Sequence, residues 1–144
     1  MAIEKIPGLN PGEFIEIEVR EGSDRDPNHD WYKRACPEVS ESLVNQYEFF
    51  RNNIHDPLRV FYPCCHIDKS PVLGFLDSEV VLLDKDDEAD YVMKKQGVKE
   101  FIHGDVLDYV SKNPFDLVIA LNPQLPSSAL TKNLSTNGYV LANN

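Results

Sequence analysis

The second part of the chain alternates short apolar runs with segments of helical periodicity. The apolar runs are predicted to be five strands, at residues 58–62, 79–83, 100–103, 115–121 and 138–142. Such runs, bounded by polar residues, are typical of strands that are buried on both faces of a parallel sheet. The intervening segments are predicted to be helices or helical turns, at residues 70–76, 87–96, 106–112 and 125–133. This alternation predicts an α/β fold built from right-handed βαβ units.

The first part of the chain has a different pattern. Residues 13–20 alternate apolar and acidic side chains, which predicts a half-exposed strand. Residues 22–28 are rich in turn-forming residues and predict a loop. Residues 38–53 place apolar side chains at three- and four-residue spacings, which predicts an amphipathic helix that Ser40 could begin. We therefore divide the chain into an extension at residues 1–57 and a core at residues 58–144.

Length and composition restrict the class of protein. The 144 residues correspond to one compact domain, and the 24 acidic against 14 basic residues give a formal net charge of −10. This excess argues against bulk nucleic-acid binding, because such binding relies on Lys and Arg to neutralise phosphates. Three cysteines do not form a disulfide framework, and no signal peptide or membrane-spanning run is visible. We expect a soluble, cytoplasmic protein with reduced thiols and no membrane partner.

Two carboxylates follow two neighbouring predicted strands, at the point where each strand ends. Asp84 follows the strand at 79–83, and Asp105 lies just beyond the strand at 100–103. Ligands of open α/β sheets bind at the carboxyl ends of the strands, so the two acids predict a small-molecule site. The alternative is that both acids cap the helices that follow them, since Asp favours a helix N-terminus.

Four segments in order extend this prediction to a family. VVLLDKD, FIHGDVLDYV, FDLVIALNP and GYVLA, within residues 58–143, resemble the nucleotide-binding half of class I S-adenosylmethionine-dependent methyltransferases. The resemblance implies a three-layer Rossmann-like parallel sheet with the strand order 3-2-1-4-5, preceded by the N-terminal strand and helix. It implies S-adenosylmethionine as the small-molecule cofactor, with Asp84 accepting from the ribose hydroxyls. It also implies that Asp105 binds the adenine amine and that the Val106 backbone lies beside the ring.

The loop after the first core strand departs from that family. Methyltransferases place an acid and a glycine-rich turn there, whereas this loop reads YPCCHIDKSP and has no glycine between Tyr62 and Gly74. Pro63 removes an amide donor, and close backbone approach normally requires glycine. Cys64 is small enough to permit some approach to the cofactor, and Asp68 is a candidate for the missing acid. The loop therefore leaves two hypotheses: a methyltransferase with an unknown acceptor, or a non-catalytic binding or regulatory module.

The remaining candidate residues give weaker signals. Asn122, in Asn-Pro after the fourth core strand, is similar to the motif with which amino-directed methyltransferases hold the target amine, although Asn-Pro is also an ordinary turn signal. The adjacent Cys64, Cys65 and His66 lack the spacing of a zinc site, so no metal is predicted. No residue is identified as a general base. A nicotinamide-binding Rossmann domain would need a glycine fingerprint after the first strand, which is not present.

The sequence ends after the fifth predicted core strand. The resemblance implies a further antiparallel strand pair at this point, so the chain is expected to be either a minimal version or a piece of a longer protein. An exposed edge strand invites association with another chain. We expect the strand at residues 13–20 to cover the sheet edge, with homodimerisation as the alternative.

Overall fold

The computed structural model describes residues 31–121 and 125–143 in full, and two further strands, at residues 2–7 and 14–19, by their backbone. These two strands, β1 (Ala2–Pro7) and β2 (Phe14–Val19), form an antiparallel pair. β1 was not predicted from the sequence. The prediction that residues 13–20 cover an edge of the main sheet is wrong, because β2 pairs with β1 in a separate two-stranded sheet.

The main sheet has five parallel strands. Their order across the sheet is β5-β4-β3-β6-β7, which confirms the predicted order 3-2-1-4-5 of the core strands. The strands are β3 (Arg59–Pro63), β4 (Glu79–Asp84), β5 (Phe101–His103), β6 (Phe115–Ala120) and β7 (Leu134–Ala142). The described helices are α1 (Glu41–Asn53), α2 (Ser70–Gly74), α3 (Asp87–Lys95) and α4 (Ser127–Thr131). The fold is therefore a three-layer Rossmann-like α/β fold.

Strand alternation divides the core into two clusters, one on each face of the sheet. Val60 and Leu82 belong to the cluster that also contains Tyr47 and Phe50 of α1. Their neighbour Phe61 belongs to the opposite cluster, because successive side chains of a strand point to opposite faces. Fully burying each such apolar side chain contributes about 1.5–3 kcal/mol, so both faces stabilise the sheet.

Local polar side chains determine where the two longer helices begin. Ser40 caps α1, since its hydroxyl accepts from the Leu43 amide at 3.3 Å, as the sequence predicted. Asp86 caps α3 by accepting from the Glu88 amide at 2.8 Å. Gly97, at φ +66°, follows the end of α3 in the left-handed conformation that glycine adopts most readily. A satisfied amide at each helix start stabilises the helix by about 1 kcal/mol.

The predicted helix at residues 106–112 is wrong. The Asp105 carboxylate accepts from the Leu107 amide, and the Asp105 carbonyl accepts from the amides of Asp108 and Tyr109, each at 3.0 Å. These bonds close a single turn, after which the chain runs as a loop to Pro114. An aspartate that bonds its own following backbone competes with helix formation, which explains the difference.

Other boundaries differ by smaller amounts. α1 begins at Glu41 rather than at residue 38, because Ser40 is its cap. α4 is shorter than the predicted helix at 125–133, and β7 begins at Leu134 rather than at residue 138. The longer β7 pairs irregularly with β6. The register shifts between Phe115 and Leu117 of β6, which lie opposite Leu134 and Tyr139 of β7. In the fully described ranges, no helix has both the length and the apolar character needed to cross a membrane.

Candidate functional site

A cleft lies at the carboxyl edge of the sheet, where β3, β4 and β5 end side by side. Its volume is about 330 Å³. The lining residues are Cys64, Leu83, Asp84, Lys85, Gly104, Asp105, Val106, Leu107 and Leu125. The cleft therefore brings together four of the seven predicted cofactor-binding residues: Cys64, Asp84, Asp105 and Val106. This is the edge at which open α/β sheets bind their ligands.

The Asp84 carboxylate is fixed by the backbone on both of its oxygens. Oδ1 accepts from the Asp86 amide at 2.9 Å, and Oδ2 accepts from the His66 amide at 2.7 Å. Asp84 does not cap α3, because Asp86 does so. A carboxylate has about four acceptor sites, so two remain after these bonds. Asp84 therefore links β4 to the loop after β3 and keeps acceptor capacity for a ligand.

Asp105 and Val106 form the second wall of the cleft. One Asp105 oxygen accepts from the Leu107 amide at 2.9 Å, which orients the carboxylate within its turn. The Val106 side chain is almost fully buried, and it packs in the second core cluster with Leu83. Gly104 donates from its amide to the Asp84 carbonyl at 3.0 Å, so the two acidic corners are held in a fixed relation.

The loop after β3 has an unusual backbone. Cys64 (φ +58°) and His66 (φ +51°), two residues apart, both adopt the left-handed conformation for which glycine is the ordinary residue. A non-glycine residue in this conformation is strained by about 1–3 kcal/mol, and such strain persists only where the surroundings enforce it. The loop therefore has a glycine-like backbone although neither residue is glycine.

Two backbone hydrogen bonds enforce this loop conformation. The His66 amide donates to Asp84, as described above, and the Cys65 amide donates to the Leu83 carbonyl at 3.3 Å. The amides of Cys65 and His66 are thereby directed at β4. Burial, followed by the nearby charges of Asp84 and Asp105, raises the pKa of the Cys64 thiol. The cleft beside Cys64 is therefore negatively polarised, and this thiol stays protonated at neutral pH.

Two of the remaining predicted residues, Pro63 at the end of β3 and Asp68 in the loop after it, do not line the cleft. The Asp68 carboxylate accepts from the amide and hydroxyl of Ser70, at 2.9 and 2.6 Å, and from the Tyr62 hydroxyl at 3.2 Å. Pro63 is buried as the last residue of β3, opposite Leu83. Cofactor roles for Pro63 and Asp68 stay predictions. Asn122 lies outside the described residues.

The cleft also contains residues that the sequence analysis did not identify. Lys85 and Gly104 directly adjoin the two predicted acids, so adjacency alone could have identified them. Leu107 and Leu125 supply apolar walls, and Leu107 is about half exposed. Leu125 lies far from the other lining residues in sequence, and only the β6–α4 connection brings it there. No sequence signal points to it.

His66 connects the loop to the segment before α1. Its ring lies 5.4 Å from the Trp31 ring, centroid to centroid, and its Nε2 is 3.8 Å from Asp86 Oδ2. These contacts connect the loop to Trp31 and to Asp86, in addition to the backbone bonds to β4. No group of three or more His, Cys, Asp or Glu side chains suited to a metal ion occurs among the described residues.

A second, larger cavity of about 780 Å³ lies between α1 and the ends of β6 and β7. Its walls include Leu43, Phe49, Ile54 and Leu141, and the Phe49 and Ile54 side chains are mostly exposed. In the core beside it, the Tyr47 hydroxyl is buried without a hydrogen-bond partner in the described part of the chain. Burial raises the pKa of Tyr47 far above its ordinary value, with a smaller contribution from Asp68.

Comparison with known proteins yields matches in structure only. No protein-family model matches the chain, and no curated protein matches it in sequence. A methyltransferase from Thiobacillus denitrificans, solved with S-adenosyl-L-homocysteine, aligns with a TM-score of 0.59 and 15% identity over 81% of this chain. The sugar N-methyltransferase KedS8 from Streptoalloteichus aligns with a TM-score of 0.56 and 13% identity over 79% of this chain. N-methyltransferase NodS from Bradyrhizobium japonicum aligns with a TM-score of 0.53 and 10% identity over 70% of this chain.

The chain spans 54%, 52% and 59% of the lengths of these three proteins. At such low identities the likeness shows the arrangement of the backbone and not the activity. The five-stranded parallel sheet, its strand order and the carboxyl-edge cleft agree with the same arrangement. The chain has the fold of the class I S-adenosylmethionine-dependent methyltransferases.

Proposed function

We propose that the carboxyl-edge cleft binds S-adenosylmethionine or S-adenosylhomocysteine through the adenosine half of the molecule. The observation that carries this proposal is the convergence of Asp84 and Asp105, from neighbouring strand ends, on one cleft with apolar walls. Ligand sites commonly combine a mostly apolar wall with a few convergent polar groups. Several solved proteins of this fold contain S-adenosylhomocysteine, which supports the choice of ligand.

The two carboxylates match the polar groups of an adenosine. Asp84 has two acceptor sites left after its bonds to the His66 and Asp86 amides, one for each of two vicinal ribose hydroxyls. Asp105 has one oxygen bonded to the Leu107 amide, which leaves acceptor capacity for an exocyclic amine. Ionised carboxylates make stronger hydrogen bonds than neutral acceptors, so these contacts favour a ligand rich in donors.

The apolar walls and the volume of the cleft also suit an adenosine. Val106, Leu107 and Leu125 line the same cleft and provide a surface for the flat face of a purine. The volume of about 330 Å³ lies near the lower end of the range for small-molecule sites. A nucleoside is therefore a suitable size for this cleft.

Calorimetry with S-adenosylhomocysteine tests this proposal. Asp84→Asn and Asp105→Asn should each weaken binding about tenfold or more, because each replaces a charged acceptor by a neutral amide. Asp77→Asn is the matched control, since Asp77 is an exposed acid just before β4, at the opposite end of that strand. It removes the same charge and should leave the affinity unchanged. Absence of binding to the folded, unmodified chain would refute the proposal.

A second candidate function is a binding or regulatory module without methyl transfer. The observation that favours it is the loop after β3, whose Cys65 and His66 amides donate to β4 and whose Pro63 has no amide hydrogen. S-adenosylmethionine labelled with ¹³C on the transferable methyl separates the two functions. In a module of this kind, the methyl resonance should stay at its free position while adenine protons shift. A large shift of the methyl resonance on binding would instead favour a catalytic arrangement.

A further inference from the structure

We infer that the cleft recognises purine nucleosides whose 5′ substituent is neutral or cationic, and that the amino-acid tail of S-adenosylmethionine adds little to binding. This inference rests on the proposed adenosine site and specifies its ligand class. Adenosine and 5′-methylthioadenosine are then ligands in their own right. Nucleoside phosphates bind more weakly because of their negative charge.

The extent of the cleft is the first argument. Its described lining comes from the ends of β4 and β5, from the turn at residues 105–107 and from Leu125. From the loop after β3, only Cys64 contributes. The rest of that loop is directed away, because Ile67 is buried in the first core cluster and Asp68 is bonded to Ser70 and Tyr62. The cleft thus extends along the ends of β4 and β5, and Cys64 is the single described lining residue from the loop after β3.

The backbone donors of the loop are the second argument. A ligand carboxylate needs hydrogen-bond donors, and neighbouring loop amides are the usual source in an anion-binding turn. Here the Cys65 amide donates to the Leu83 carbonyl and the His66 amide to Asp84. Pro63 has no amide hydrogen to donate. In the described part of this loop, these amides are therefore used to bind β4 rather than a ligand.

Charge is the third argument. Three charged residues line the cleft: Asp84, Asp105 and Lys85. Their sum is one negative charge, and the two acids contribute to the raised pKa of the thiol of Cys64, which also lines the cleft. A phosphate on the 5′ carbon would be repelled there, since like charges at close range destabilise binding. A thioether or a hydroxyl is not repelled.

Lys85 is the one cationic side chain among the described lining residues of the cleft, and it is the candidate to bind an amino-acid tail. A second described cation, Lys132, donates from Nζ to the carbonyl of the lining residue Leu107. The Lys85 side chain is exposed, and Lys85 lines the cleft together with Cys64. An exposed ammonium in water contributes at most about 1 kcal/mol to an ion pair, which is less than a tenfold change in affinity. The variant Lys85→Met measures this contribution directly.

The test compares four ligands by calorimetry on the whole chain. Adenosine, 5′-methylthioadenosine and S-adenosylhomocysteine should have dissociation constants within about fivefold of one another, and adenosine 5′-monophosphate should bind about tenfold more weakly or worse. With Lys85→Met, the ratio between S-adenosylhomocysteine and 5′-methylthioadenosine should change by less than about threefold.

The outcomes separate this inference from the proposed function. If S-adenosylhomocysteine binds more than about tenfold tighter than 5′-methylthioadenosine, the tail is recognised and the inference is refuted while the adenosine site stands. A loss of that preference in Lys85→Met would identify the ammonium as the group responsible. Tightest binding by adenosine 5′-monophosphate would refute the charge argument. If none of the four binds to the folded chain, the proposed function itself is wrong.

Discussion

The strained loop after β3 gives a quantitative prediction about Cys64. Its positive φ of +58° is a conformation that an L-residue with a Cβ disfavours and that glycine adopts freely. Cys64→Gly should therefore be more stable than Cys64→Ala. Comparing these two variants removes the effect of the sulfur, because both lack it.

The expected difference is about 1 kcal/mol. Replacing glycine by alanine at a position with a positive φ destabilises a protein by more than about 0.4–1 kcal/mol. At a position with an ordinary φ, the same replacement stabilises the protein by about 0.4–1 kcal/mol. Cys64 is only half-buried, so the methyl group that alanine has and glycine lacks reduces the expected difference by only a few tenths of a kcal/mol. For a domain of this size, 1 kcal/mol corresponds to roughly 3–5 °C in Tm.

Cys36 supplies a matched control. It is likewise a half-buried free cysteine, and its φ is not positive. Here the order should reverse, with Cys36→Gly less stable than Cys36→Ala by about 0.4–1 kcal/mol. Urea unfolding followed by circular dichroism measures all four variants under one set of conditions.

The sign of the difference decides the outcome. If Cys64→Gly is less stable than Cys64→Ala by the margin found at position 36, the loop is not held in the left-handed conformation. The strain argument then fails. A glycine there also removes a side chain that lines the cleft, so we expect Cys64→Gly to bind S-adenosylhomocysteine at least as tightly as the unmodified chain.

Three further predictions concern stability, each measured by urea or thermal unfolding. Tyr47→Phe should stabilise the protein by about 1 kcal/mol, because it removes a buried hydroxyl that has no described partner. Tyr62→Phe should destabilise the protein by about 1 kcal/mol, because the Tyr62 hydroxyl donates to the Asp68 carboxylate. Gly74→Ala should destabilise by about 1–3 kcal/mol, since its Cβ would lie 2.5 Å from Tyr47 Cβ; an unchanged Tm would contradict the packing of α1 against α2. Asp116→Asn should destabilise the protein by about 1–3 kcal/mol, because the Leu58 and Arg59 amides donate to the Asp116 carboxylate. Glu79→Gln is the control: Glu79 is an exposed ion-pair partner of Arg59, so this variant should change stability by less than about 1 kcal/mol.

The sign of the pH dependence at Asp116 follows from its surroundings. Burial acts to raise the pKa of Asp116, but hydrogen bonds from the Arg59 and Leu58 amides and from His55 outweigh it, and the net pKa is lowered. The folded-state pKa then lies below the unfolded value of about 3.9, so the stabilisation is present when the pH is above that unfolded value. It is lost as the pH falls through the folded-state value.

The sheet was predictable because its strands are buried on both faces. Runs such as Val80–Leu83 and Leu117–Ala120 are apolar at every position, a pattern with few alternatives in a chain that also contains helical segments. Strand order came from the family resemblance rather than from periodicity. The predicted helix at 106–112 is wrong, because Val106 and Tyr109 pack in the second core cluster from a turn that Asp105 closes.

The site was predictable only in part. The convergence of Asp84 and Asp105 follows from parallel strands, whose carboxyl ends share one edge. The loop geometry did not follow, because neither cysteine nor histidine prefers a positive φ and the bond from His66 to Asp84 joins residues distant in sequence. Leu125 reaches the cleft through tertiary packing alone, which local sequence patterns do not encode.

The contact between Trp31 and His66 gives this protein an intrinsic spectroscopic reporter. Trp31 is the only tryptophan in the chain, so all indole emission comes from one position, 5.4 Å from a ring in the loop beside the cleft. Ligand binding that displaces His66 changes the surroundings of this indole and so alters its emission. Titrations can therefore follow the loop by fluorescence in the unlabelled protein, separately from the heat of binding.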